Sequence, residues 1–152
     1  MMAIQAKFVH TNIVAQHWEA LAAFYEEVFG CTRVFPERNL DEKWVEDATG
    51  VAGAEIRGIH LRLPGYGDSG PTLEIFQYNR EVEKLPAAVN RPGFTHIAFA
   101  VDDVAAARRA VLQAGGGEVG KLTHVEIAGA GTITFVYLSD PEGNILELQQ
   151  WL

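Results

Sequence analysis

Between residues 16 and 29 (QHWEALAAFYEEVF) the apolar positions Trp18, Leu21, Ala22, Tyr25, Val28 and Phe29 recur at intervals of three and four, which predicts an amphipathic helix. Gly30 stands where such a helix takes a left-handed cap. A second helical pattern covers 103–114 (DVAAARRAVLQA), with Val104, Ala107, Val111 and Ala114 on one face, Asp102 or Asp103 to cap its start and Gly115, Gly116 and Gly117 to end it. Each helix follows a short stretch that reads as a strand, 7–14 (KFVHTNIV) and 94–101 (FTHIAFAV). More strands follow each helix, at 56–63 and 72–78 in the first half and at roughly 118–127, 132–138 and 144–150 in the second. Pro64-Gly65, residues 68–71, 128–131 and 140–143 have the composition of the connections between them.

The pattern therefore repeats as two β-α-β-β-β units, and an α+β fold follows. His10 and His96, on the opening strands, stand 86 residues apart, whereas Glu74 and Glu147, on the closing strands, stand 73 apart. The 13-residue difference is extra chain in the first unit, and the stretch from Pro36 to Gly58 is its expected place. One domain over 1–152 is expected, with module one at about 5–85 and module two at about 92–152, because a half of about 75 residues buries too little surface to be stable alone.

Composition narrows the functional classes. Twelve Lys and Arg against 20 Asp and Glu give a formal charge of −8, and no basic cluster offers a footprint for nucleic acid or an anionic membrane. Cys31 is the single cysteine, so an intrachain disulfide and a thiolate zinc site are excluded. With no basic-then-apolar N-terminal segment and no 18-residue apolar run, a soluble cytoplasmic protein is expected.

Side chains alternate along a strand, so each opening strand offers one imidazole and each closing strand one carboxylate. Leu73, Ile75, Leu146 and Leu148 flank the two glutamates and belong to the layer between strands and helices. A Glu in the middle of such a strand is costly to bury unless it is paired or holds a metal. Two imidazoles and two carboxylates suit a divalent Zn, Ni, Co, Fe or Mn. Asn12 shares the face of His10, Phe76 and Tyr78 that of Glu74, and Trp151 that of Glu147; with His60 and Arg62 on the strand 56–63 they are candidate contacts to a small-molecule substrate. His17 opens a helix beside Trp18 and reads as exposed, His124 lies in the variable strand of the second half with nothing in the pattern to pair it, and Cys31 reads as a small buried side chain.

The segments FVHTNIVAQHWEALAAFYEEVFG, TLEIFQYN, FTHIAFAVDD and FVYLSDPEGNILELQQ resemble the signature segments of glyoxalase I and the wider vicinal oxygen chelate superfamily, over nearly the whole chain apart from about 36–58. The resemblance implies paired βαβββ modules, a mixed sheet curled around a metal-binding cleft, and a homodimer. It also implies a divalent metal held by His10, Glu74, His96 and Glu147. Glutamate at position 74 matches glyoxalase I, where methylmalonyl-CoA epimerases have Gln and the extradiol dioxygenases and fosfomycin thiol transferases use a triad without this acid. The implied activity is a metal-dependent lyase or isomerase that shifts a proton through an enediolate, with Glu147 or Glu74 as the base. The alternatives are an epimerase, a dioxygenase, or a metal-free ligand-binding protein of the bleomycin-resistance type. Val14 stands where glyoxalase I carries an Arg that grips glutathione, and Tyr78 where it carries an Asn, so those two glutathione contacts are not matched.

Overall fold

The computed structural model describes residues 3–152. The chain divides into two compact units, one ending at Val82 and the other running Glu83–Leu152. The first unit contains β1 (His10–Val14), α1 (Trp18–Phe29), β2 (Thr32–Leu40), α2 (Lys43–Thr49), β3 (Ile56–Arg62) and β4 (Thr72–Tyr78). Its four strands form an open mixed sheet in the order β1-β4-β3-β2, in which β1 runs parallel to β4 and the other pairs are antiparallel. The second unit contains β5 (His96–Ala100), α3 (Val104–Gln113), β6 (Gly117–Glu118), β7 (Thr123–Ile127), β8 (Gly131–Ser139) and β9 (Ile145–Trp151). The order β5-β9-β8-β6, with β7 also on β8, repeats the first sheet strand for strand.

Each sheet has one apolar face, covered by its own helix. Ile59, Leu61, Leu73 and Ile75 lie beneath α1, whose Leu21, Ala22, Phe24 and Tyr25 are buried. Val136, Leu138, Leu146 and Leu148 lie beneath α3, with Val104 and Val111. Burial of each large aliphatic side chain contributes about 1.5–3 kcal/mol, so the four leucines and isoleucines that flank Glu74 and Glu147 anchor the strands bearing them. The predicted caps are present: Gly30 closes α1 at φ 67°, and Asp103 accepts a hydrogen bond from the Ala106 N–H at 2.8 Å.

The chain from Pro36 onward departs from the expected loop. Residues 32–40 form β2 and 43–49 form α2, so the extra chain is mostly regular structure. Pro36 argues against a strand, but β2 is an edge strand whose register shifts between Val34 and Arg38, where a missing donor is tolerated. In the second unit the single strand expected at 118–127 is two, β6 and β7, parted by Val119–Leu122. A Cβ at Gly58 would lie 2.0 Å from the Ile75 carbonyl oxygen, so β3 and β4 approach there in a way only glycine permits.

Candidate metal centre

The face of the first sheet turned away from α1 is polar at its centre. Pairing of β1 with β4 sets Asn12 beside Glu74, and pairing of β3 with β4 sets His60 opposite Glu74. The Glu74 carboxylate accepts a hydrogen bond from Asn12 Nδ2 at Oε1 (2.8 Å) and meets His60 Nε2 at Oε2 (2.7 Å), while His10 Nε2 lies 3.8 Å from Oε1. The Thr72 hydroxyl lies 3.1 Å from His60 Nδ1. His10 and His60 meet edge to face, ring centroids 5.5 Å apart, and Phe76 stands edge-on to His60 at 5.9 Å. Glu74 and His60 are largely sheltered, whereas the His10 side chain is 41% exposed.

Burial pushes the pKa of His60 below its ordinary value; the Glu74 charge opposes that shift, and Arg38, His10 and Arg62 add to it. His60 is therefore a neutral imidazole at physiological pH. With its proton on Nε2 it donates to Glu74 and accepts from Thr72. With its proton on Nδ1 it donates to Thr72 and presents a free Nε2 lone pair, because a hydroxyl serves as either donor or acceptor. Ligand atoms of His10, His60 and Glu74 lie within 4.8 Å of one another. Two imidazole nitrogens and a carboxylate oxygen on one sheet face fit the donor preferences of a divalent transition metal.

The second unit builds the corresponding group. His96 Nε2 lies 3.1 Å from Glu147 Oε2, and His96 Nδ1 lies 3.1 Å from the Thr95 hydroxyl. Tyr137 occupies the place of His60: it pairs with Glu147 across β8 and β9, and its ring meets that of His96 at 5.1 Å. Burial, the Glu147 charge and a hydrogen bond to Glu147 hold the Tyr137 phenol above its usual pKa, so it stays a neutral donor.

The other candidate residues have defined places. Asn12 orients Glu74. The Arg62 guanidinium is tied to the Gly70 carbonyl in the β3–β4 connection. Tyr78 and Phe76 pack against the cluster of Val45, Ala54 and Ile56, and the Trp151 indole donates to Gln149 Oε1 at 3.0 Å. His124, without a partner in the sequence pattern, shares a hydrogen bond with Thr134 at 2.7 Å. A cleft of about 630 Å³ in the first unit lies around the start of α1, bounded by His17, Trp18, Arg57 and Gln77, and not around Glu74.

The sequence pattern marks His60 as a substrate contact, and passes over Tyr137. The signal for both is their distance from the turn. His60 and Glu74 are each seven residues from Gly67, and Tyr137 and Glu147 are each five from Glu142, so each pair meets when the strands fold back.

No curated protein matches the chain. Among solved structures, a glyoxalase family protein from Bacillus cereus is similar over 100% of this chain and 97% of its own, with a TM-score of 0.76 at 17% identity. An integron cassette protein from Vibrio cholerae is similar over 98% of both chains (TM-score 0.56, 24% identity). The fosfomycin resistance protein FosX from Listeria monocytogenes, solved as an E126Q mutant with Mn(II) and 1S,2S-dihydroxypropylphosphonic acid, is similar over 95% of this chain and 92% of its own (TM-score 0.57, 13% identity). These likenesses establish the fold. The sequence profile of the Glyoxalase/Bleomycin resistance protein/Dioxygenase superfamily matches residues 7–148, nearly the whole chain, and the protein belongs to that superfamily.

Proposed function

We propose that the protein is a metal-dependent enzyme that shifts a proton between adjacent carbons of a small molecule bearing vicinal oxygens, a glyoxalase-like isomerase or lyase. The observation that carries this reading is the repeated pairing of a sheltered glutamate with imidazole, His10 and His60 at Glu74 and His96 at Glu147. The Glu74 and Glu147 side chains are only 13% and 12% exposed, and a sheltered charge is costly unless it is paired or holds a metal.

His10, Glu74, His96 and Glu147 are the proposed ligands, with His60 an additional imidazole for the first pair. A divalent ion held by these groups would supply positive charge where negative charge develops on adjacent substrate oxygens. Zn, Ni, Co, Fe and Mn are the candidate ions, and Mn(II) is the one present in the FosX structure. The chain's own residues handle the proton. Glu147 or Glu74 takes it from the substrate carbon and returns it to the neighbouring carbon, and the Tyr137 phenol, donating to Glu147, keeps that carboxylate oriented. The base contributes about 10²–10⁴ in rate.

The test combines metal analysis with isotope exchange. The purified protein is expected to retain or take up close to one equivalent of Ni, Co, Zn or Mn, and the loaded enzyme to exchange the substrate carbon-bound proton with heavy water. Uptake below about a tenth of an equivalent with every metal would instead favour metal-free ligand sequestration. Oxygen consumption with Fe(II) and a catechol would favour a dioxygenase.

A further inference from the structure

The sheet face turned toward the helix ends differently in the two units. On β3 and β4 the cross-strand pairs Leu61–Leu73 and Ile59–Ile75 lie fully buried beneath α1, and the next pair on that face is Arg57 opposite Gln77. In the second unit the matching pair is Thr134 opposite Gln150, and there the chain closes the corner with its own polar groups. Asp103 caps α3 through the Ala106 N–H, Gln150 Nε2 donates to the Asp102 carbonyl at 2.7 Å, and the Thr134 hydroxyl meets His124 Nδ1. In the first unit His17 stands where Asp103 does and gives α1 no side-chain cap, and the corner is the cleft of about 630 Å³ beside Trp18.

We propose that this cleft binds a free α-amino acid with a large apolar side chain, its carboxylate on Arg57 and its ammonium on Glu19 and Glu55. Charge supplies the first argument. All three side chains line the cleft, and none of them makes a hydrogen bond or ion pair among the described residues. An anion alone would meet two carboxylates beside one guanidinium, and a cation alone would meet the guanidinium; a zwitterion answers both. The internal repeat supplies the second. Thr134 serves at the place of Arg57 in the second unit, so the fold itself does not call for a cation there. The third is the amide beside it. Gln77 Oε1 accepts from the Trp18 N–H at 3.4 Å, which leaves the Gln77 Nε2 amide as a second donor next to Arg57 for a carboxylate.

Size and rigidity fit a small molecule. The volume falls within the roughly 300–1,000 Å³ of small-molecule sites, and Trp18 and Tyr78 give the wall its apolar part. The rim is fixed before any ligand arrives: Glu55 N–H donates to Asn79 Oδ1, Asn79 N–H to the Glu55 carbonyl and Asn79 Nδ2 to the Gly53 carbonyl, each at 3.0 Å. Side chains alternate along β3 and β4, so Arg57 and Gln77 point to the face opposite His60 and Glu74. The proposal therefore stands apart from the enzymatic reading and from the metal.

The experiment titrates the full chain, free of metal, with three probes and follows amide chemical shifts by NMR. The probes are L-phenylalanine, N-acetyl-L-phenylalanine, which lacks the ammonium, and phenethylamine, which lacks the carboxylate. L-Phenylalanine is expected to bind at least tenfold more tightly than either of the others, with shifts centred on Trp18, Glu19, Arg57 and Gln77. Arg57→Gln is expected to lower its affinity to that of phenethylamine, and Glu19→Gln combined with Glu55→Gln to lower it to that of the acetylated probe. No saturable shift with L-phenylalanine up to about 10 mM overturns the proposal, as does equal affinity for the three probes. Shifts centred on His60 and Glu74, or binding that survives Arg57→Gln unchanged, overturn it as well. The probe series on the wild-type chain decides the matter even where a variant folds poorly.

Discussion

Glu74→Gln separates the carboxylate's role in binding from its role in folding. In the wild-type chain Oε1 accepts from Asn12 and Oε2 from His60, at 2.8 and 2.7 Å. Glutamine keeps one carbonyl oxygen for Asn12 and turns an amide N–H₂ toward His60. That amide clashes with an Nε2 proton, but His60 has a second tautomer available because the Thr72 hydroxyl at 3.1 Å accepts as well as it donates. Every hydrogen bond at the site is thereby remade, and only the charge assistance is lost, offset in part by the relief of desolvation. The net destabilisation is about 1 kcal/mol or less, or roughly 2–4 °C in Tm for a chain of this size. Metal affinity responds differently, since the amide removes a negative charge from the donor set; it falls at least tenfold, about 1.4 kcal/mol. Thermal melts of the metal-free protein and calorimetric metal titrations, run on the same preparations, read the two effects independently. Unchanged metal affinity would remove Glu74 from the ligand set, and a Tm loss above about 8 °C would refute the tautomer argument.

Cys31 is 3% exposed, and burial, reinforced by the nearby Glu26 charge, pushes its thiol up to about 11. Ellman's reagent at pH 8 is expected to react slowly with the native protein and rapidly in urea; because the unfolded thiol ionises first, stability falls as pH rises from about 9 to about 11, and Cys31→Ala removes that slope. Gly58→Ala places a methyl against the Ile75 carbonyl and is expected to destabilise by about 3 kcal/mol or more, seen as a shifted urea midpoint. Asp140, 1% exposed, accepts from the Glu142 and Asn144 backbone N–H groups and from Asn144 Nδ2, so Asp140→Ala is expected to cost about 2–4 kcal/mol by chemical denaturation and Asp140→Asn much less.

What the sequence discloses is what local periodicity encodes. Trp18, Leu21, Ala22 and Tyr25 repeat at helical spacing and are buried, and His10 and His96 open strands in both units because alternation fixes their face. Glu74 and Glu147 stand out because each is the acid of a closing strand whose other face is Leu and Ile, at matching places in the two units. β2 is hidden because Pro36 and the charges around it describe a loop as well as they describe an edge strand. The partnerships of Glu74 with His60 and Glu147 with Tyr137 depend on cross-strand register, which a one-residue slip would destroy. The packing of Val45 against Ile56 is a tertiary contact that a seven-residue helix does not announce.

The parallel pairing of β1 with β4, and of β5 with β9, has a consequence for the order in which the protein assembles. β3 and β4 are joined by a short connection and meet early, since local contacts close small loops at low entropic cost. That hairpin already brings His60 to Glu74, and the β8–β9 hairpin brings Tyr137 to Glu147. His10 and His96 arrive only when the opening strands close loops of several tens of residues. Each cluster therefore matures in two stages, a hairpin half that forms with the local chain and an imidazole added last. Hydrogen exchange during refolding should protect Ile75 and Leu148 through the hairpin before Thr11 and Ile97 gain protection in their parallel ladders.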